Sequence, residues 1–286
     1  MNELQHLLER IEDLIQKVEH YIPEVPLPPD WARVAAFRWQ KKHYRGYFQP
    51  VHHPHRILLR DLQGIDYQKQ QLNRNTQQFL KKKPANNALL WGARGTGKSS
   101  LIKALLNEYA ASGLRLIEVE KQNLSDLPDI VEHFYARPER FILFCDDLSF
   151  EKDDASYKAL KSVLDGSISA PPSNVLIYAT SNRRHLMPEY MRENLEAQHI
   201  DGEIHQAEAV EEKISLSERF GLWLSFYPFK QDEYLTIVHY WIERLGSLNP
   251  EDKAAMEKAA LQWALLRGSR SGRSAWQFAQ DWLGQK

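Results

Sequence analysis

The chain has 286 residues, of which 43% are hydrophobic and 26% charged, with a formal net charge of −1 and one cysteine, Cys145. That length accommodates one α/β domain with a small appended domain. The even charge balance carries no composition-level pointer to a nucleic-acid or membrane partner, and a single cysteine excludes an internal disulfide.

Residues 3–22 read as one amphipathic helix, with Leu4, Leu8, Ile11, Ile15, Val18 and Ile22 recurring at steps of four and three. Acidic and basic residues are mixed through it, so no apolar leader is expected there. No later run approaches the ~20 apolar residues of a membrane span. The expected location is the cytoplasm, with no membrane partner. Pro23 to Pro29 ends the helix as a stiff linker.

Residues 31–60 change character. Arg33, Arg38, Lys41, Lys42, Arg45, Arg56 and Arg60 face no acidic residue within that span, and Trp31, Phe37, Trp39, Tyr44, Tyr47 and Phe48 are interleaved with them. Two readings stand: a surface for nucleic acid or a partner, or aromatics packed on the core beneath solvated cations, the second being favoured. His52, His53 and His55 lack a neighbouring cysteine or carboxylate at ligand spacing, which argues against a metal site.

From Asp61 the pattern becomes α/β. Helices are expected over 67–82 (capped by Asp66), 98–112 and 126–137. Strands are expected at 87–91, 114–120, 141–146, 174–180 and 222–226. After Phe229 the strands give way to helices at 231–245, 251–267 and 273–283. Residues 193–212 are polar and rich in glutamate. The expected organisation is an N-terminal helix and linker over 1–28 and a basic-aromatic connector over 29–60. An α/β core follows over 61–228 and a small all-helical domain over 229–286.

The segment Gly92-Ala93-Arg94-Gly95-Thr96-Gly97-Lys98-Ser99 matches G-x-x-x-x-G-K-[ST], between an apolar strand and a helical pattern. Glycines let backbone N–H groups curl round phosphates at a helix N-terminus. Lys98 suits the β- and γ-phosphates and Ser99 suits Mg²⁺, with Ser100 following on the same turn. The apolar run Phe141 to Cys145 ends in Asp146 and Asp147, the pattern of a Walker B strand. Asp146 suits magnesium, and Asp147 suits polarising a water. Cys145 reads as a buried strand residue. Asn182, at the tip of another apolar strand, can reach a γ-phosphate or the attacking water. Arg219 and Arg273 are candidates for gripping phosphate oxygens.

In this order the motifs resemble those of the AAA+ P-loop ATPases, over about residues 61–284. The segments LLWGARGTGKSSLIKALLNEYA, RPERFILFCDDLSF, NVLIYATSNRRHLMPEYM and EEKISLSERFGLWLSFYPF resemble a bacterial AAA+ family known as a domain of unknown function. The resemblance implies a parallel five-stranded α/β core of the ASCE P-loop class with a small C-terminal helical lid. It implies Asn182 as sensor 1, Arg219 as an arginine finger, Arg273 as sensor 2, and Gly64-Ile65-Asp66 as the adenine-side motif. It also implies ATP or ADP with Mg²⁺, and a homo-oligomer, either a ring, a hexamer among the options, or another assembly. The partner it remodels or loads is an unidentified protein client or nucleic acid. One departure is that Asp147 stands where most AAA+ motors carry glutamate. Its carboxylate is one methylene further from the water, so slow hydrolysis and a switch-like role form the alternative. Residues 121–140 carry no aromatic-apolar-Gly pore loop.

Overall fold

In the computed structural model, the structure describes residues 5–7, 10–11, 27–42, 45–150, 154–166, 172–183, 216–247 and 249–285. The expected helix over 3–22, Tyr44 and the polar segment 193–212 fall wholly or mostly outside the described residues.

The fold is an α/β sheet wrapped by helices. Among the described residues, seven strands, β1 (Ala36–Lys42), β2 (Arg45–Pro50), β3 (Ala88–Gly92), β4 (Leu114–Glu118), β5 (Arg140–Cys145), β6 (Val175–Ser181) and β7 (Leu222–Phe226), lie in the order β2-β1-β4-β5-β6-β3-β7. β3 to β7 are the five strands expected from sequence, and all pair in parallel. The expected count of five becomes seven because the basic-aromatic segment folds as a β-hairpin. Its first strand joins β4 in parallel, and its second closes back antiparallel on the first.

Side-chain alternation explains how the sheet is buried on both faces. In β5, Phe141, Leu143 and Cys145 belong to one apolar cluster, while Ile142 and Phe144 belong to the other. One face is covered by α1 (Asp66–Leu80) and α2 (Lys98–Tyr109), the other by α3 (Leu127–Glu132) and α4 (Ala155–Asp165). After β7, α5 (Gln231–Leu245), α6 (Lys253–Leu266) and α7 (Gly272–Gly284) form a bundle whose buried residues are continuous with the first face.

Four of the aromatic residues of this segment are core residues. Trp31, Phe37, Trp39 and Phe48 are each at most 5% exposed, and the Trp31 ring lies 4.4 Å from Phe37 and 5.1 Å from Phe141. Two of the cations find acids from elsewhere in the chain. Arg38 pairs with Glu118 at 2.8 Å and Glu120 at 3.6 Å, and Lys41 pairs with buried Asp126 at 2.6 Å. Asp126 also accepts the Trp39 indole N–H at 2.9 Å. The core-packing reading of this segment therefore holds for these four aromatics, while Tyr47 is half-buried.

Several boundaries shift for local reasons. Asp66 is the first residue of α1 rather than its cap, and its carboxylate pairs with Lys69 one turn on, at 2.9 Å. The helix expected over 126–137 is a 3₁₀ turn at Lys121–Asp126 followed by the short α3. α4 was not anticipated, although Asp154 caps it by accepting the Ser156 N–H at 2.9 Å. Among the described residues, no helix is long and apolar enough to cross a membrane.

Candidate functional site

Parallel strands put their C-terminal ends on one side of the sheet, and the site is built there. The turn from β3 to α2 is Gly92 to Gly97. Gly92, Gly95 and Gly97 all have positive φ, at 126°, 73° and 101°. A Cβ at Gly92 would stand 2.0 Å from the Phe226 carbonyl oxygen, so β7 comes too close for any side chain. The Ala93 N–H donates to that same oxygen at 2.9 Å, and Thr96 Oγ1 donates to the Ala93 carbonyl at 2.7 Å. These bonds fix a tight concave loop at the start of α2.

Lys98 opens α2 and is 6% exposed. Its Nζ donates to the carbonyls of Gly92 and Ala93, both at 2.7 Å, and to Asn182 Oδ1 at 3.2 Å. Burial pushes its pKa from 10.5 down to about 8. Asp147 and Asp146 work against that shift, while Arg94 and Arg273 reinforce it. Asn182 in turn donates through Nδ2 to Asp147 Oδ1. Lys98, Asn182 and Asp147 thus form a continuous polar line across β3, β6 and β5.

A second group meets beside it. Ser99 Oγ donates to Asp146 Oδ1 at 2.6 Å, and Thr180 Oγ1 donates to the same oxygen at 2.5 Å. Thr180 also accepts the Asp147 backbone N–H at 2.9 Å. Asp147 takes φ 52°, a left-handed conformation uncommon outside glycine, and this N–H contact helps hold it there. Thr180, buried at 2% exposure, was not singled out from sequence. A β-branched residue near the end of an apolar strand looks like any other strand residue, and its only signal was its place two residues before Asn182. Cys145 is fully buried, and that burial raises its thiol to about 12, which makes it inert.

On the bundle side, the N-terminus of α7 rests on the loop. The Arg273 N–H donates to the Gly95 carbonyl at 3.3 Å, and Ser271 Oγ is 2.9 Å from where a Gly95 Cβ would stand. Ser271 and Ser274 cap α7 reciprocally at 3.2 Å. Ahead of α1, Gly64 (φ 74°) lies against the Phe229 ring, and Ile65 is buried with its Cδ1 3.3 Å from the Cβ position of Gly97. Gly64, Ile65, Gly92 to Ser99 and Arg273 therefore surround one loop. Ser100 follows in the first turn of α2.

Arg219 stands apart. It precedes Leu222, which pairs with Ala88 at the start of β3, whereas the glycine loop leaves the other end of β3 at Gly92. Four residue steps separate the two ends by roughly 13 Å. Arg219 Nε donates to Asp165 at the C-terminus of α4.

The donor set fits a magnesium nucleotide. Ser99 and Asp146 offer hard oxygen ligands converging at one point, and the three positive-φ glycines turn the backbone into a concave loop ahead of the N-terminus of α2. Among the described residues, no group of three or more His, Cys, Asp and Glu residues is placed to hold a metal ion.

The family model described as "Protein of unknown function (DUF815)" matches residues 32–286. The chain belongs to this family. Its members' name assigns no activity, so for this DUF815 protein the motifs and their geometry carry the functional reading. The sheet order places β6 between the glycine-loop strand β3 and the Asp146 strand β5. Solved structures similar to it include Thermotoga maritima RuvB, titled a Holliday junction branch migration motor. That match is 14% identical over 78% of this chain and 71% of that one, with a TM-score of 0.45. A substituted form of the same RuvB matches at 13% identity over the same shares, with a TM-score of 0.47. No curated protein matches the DUF815 chain.

Proposed function

We propose that this DUF815 protein is a cytoplasmic, Mg²⁺-dependent ATPase of the AAA+ type. It works as a homo-oligomer, with a hexamer as the model, to remodel or load a protein client or nucleic acid. The observation that carries the reading is the polar line Lys98–Asn182–Asp147 laid beside the Ser99–Asp146–Thr180 group at the mouth of a glycine cradle.

In this reading Lys98 exchanges its two carbonyl partners for the β- and γ-phosphates of ATP. Backbone N–H groups of Gly95 to Ser99 cradle the phosphates, and Ser99 and Asp146 hold the metal. Bound there, Mg²⁺ would supply charge neutralisation to the phosphates. Asp147 and Asn182 orient the attacking water, and Asp147 accepts its proton as the γ-phosphoryl group transfers in line. Arg273 reports the γ-phosphate to the helical lid. The domain boundaries follow the same reading, with the core over 61–228 and the lid over 229–286. Arg219, at the far end of the sheet, suits the nucleotide of a neighbouring subunit rather than its own.

A second reading, a slow ATP-gated switch, is favoured by one observation. Asp147 is short, held in a left-handed conformation and engaged by Asn182. Quench-flow under single turnover compared with equilibrium ATP binding tests both. Turnover lost in Lys98→Ala but robust in wild type supports the motor. Tight binding with hydrolysis slower than one per several minutes supports the switch. Absence of ATP binding removes both.

A further inference from the structure

Asp61 is a carboxylate 6% exposed that plays no part in the chemistry above. It ends a single 3₁₀ turn, Leu59–Asp61, on the segment leading to α1. Its Oδ2 accepts the Leu58 N–H at 2.8 Å. Its Oδ1 accepts the Tyr240 hydroxyl at 2.5 Å and lies 3.7 Å from Arg244 Nε. Tyr240 and Arg244 are four residues apart on α5, so both face the same point. Burial, and the bond to Asp61, push the Tyr240 phenol up to about 12, so it remains a donor across the physiological range.

The segment around Asp61 is fastened at both ends to the glycine loop and its helix. Upstream, Asn107 on α2 donates to the carbonyls of His55 at 2.8 Å and Ile57 at 2.6 Å. Downstream, Leu62 and Ile65 pack beneath Gly97, and Gly64 lies against Phe229 and Ile237 at the start of the bundle. Asp61 is thus a charged joint between this segment and α5. α5 packs on α7, which places Arg273 over Gly95.

We propose that Asp61 is a positioning residue for the nucleotide site: with Tyr240 and Arg244 it latches the helical bundle to the base-side segment, and so sets the fraction of molecules whose α7 stands over the glycine loop. The proposal rests on the nucleotide-binding reading. Apparent affinity scales with the competent fraction, so loosening the latch weakens ATP binding without touching a phosphate contact. Losing a hydrogen bond to a charged group makes the expected weakening about tenfold.

The test uses the full chain with Leu265→Cys on exposed α6 and Lys121→Cys on the core as spin-label sites, since buried Cys145 is inaccessible. Distance distributions between labels are recorded without nucleotide, and affinity is read by titration with a fluorescent ATP analogue. In Tyr240→Phe the distribution broadens toward longer distances and affinity falls about tenfold; Arg244→Gln moves both in the same direction but less, because Arg244 is 46% exposed and 3.7 Å from Asp61. Saturating ATP restores the narrow distribution, and the melting temperature moves little. An unchanged distribution overturns the latch, whatever happens to melting temperature or turnover. A broadened distribution with no ATP binding in wild type or either variant keeps the mechanical joint, removes its role at a nucleotide site, and sinks the underlying reading instead.

Discussion

The Lys98 ammonium donates to Asn182 Oδ1 at 3.2 Å, a contact between residues 84 positions apart that closes the distance between the glycine loop and the strand carrying Asn182. Lys98 is held there at a cost, because burial depresses its pKa to about 8. In the folded state the charged form is disfavoured relative to the unfolded chain. The unfolded state therefore binds more protons between about pH 8 and 10.5, and nucleotide-free stability gains over that window as pH rises. Lys98→Met should melt higher than wild type at pH 7, and the gap should narrow above pH 8. Phosphates raise the pKa again, so ATP binding should take up a proton near pH 8 to 9. Affinity should also fall as pH rises through about 8. Calorimetry in buffers of different ionisation enthalpy reads the uptake directly.

Thr180 joins the two acids, donating to Asp146 and accepting from the Asp147 backbone. Thr180→Val keeps the β-branched shape in a buried strand position but removes both bonds. The expected loss is about 1–3 kcal/mol of stability, with the Asp147 N–H left unpaired. The Mg²⁺ concentration for half-maximal activity should rise several-fold. Thr180→Ser should restore most of both. Denaturant melts and a magnesium titration check the pair.

Two glycines with similar backbone angles should behave differently. Gly92 has φ 126°, and its Cβ would meet the Phe226 carbonyl at 2.0 Å; Gly113 has φ 91° with nothing within 4 Å. Gly113→Ala should cost only the left-handed backbone penalty, about 1–2 kcal/mol. Gly92→Ala should separate β3 from β7 at the loop and abolish ATP binding. Thermal melts and nucleotide titration of both variants provide the comparison.

The parallel core was legible because its information is local. Short apolar runs, a helix after each and a complete glycine motif all lie within adjacent residues. The hairpin was not, because its evidence is tertiary. The acids that answer Arg38 and Lys41 lie about 80 residues downstream, at Glu118, Glu120 and Asp126. Until the chain folds, those cations read as a bare basic patch. Asp147's left-handed backbone and the Thr180 bridge were invisible for the same reason, since each depends on β5 and β6 lying side by side.

The hairpin gives its own prediction. Asp126 is buried and accepts from both Trp39 and Lys41. Asp126→Ala should destabilise the chain by about 1–3 kcal/mol, mainly by leaving the indole N–H unpaired. Lys41→Ala should cost less, because that side chain is 46% exposed and the pair is partly screened by solvent. Parallel denaturant titrations measure both.

Arg219 sits at the end of the sheet opposite the glycine loop of its own chain, so a shared site between subunits is the central claim. The most direct measurement mixes two inactive variants. Lys98→Ala lacks the loop lysine but carries Arg219, and Arg219→Ala carries the loop but lacks the arginine. Steady-state ATP hydrolysis is followed across mixing ratios at several total concentrations. The expected result is negligible activity in each variant alone and a maximum in mixtures, with wild-type rate per subunit rising with concentration. Full activity in Arg219→Ala alone, or a mixture no more active than its parts at any concentration, would contradict the account.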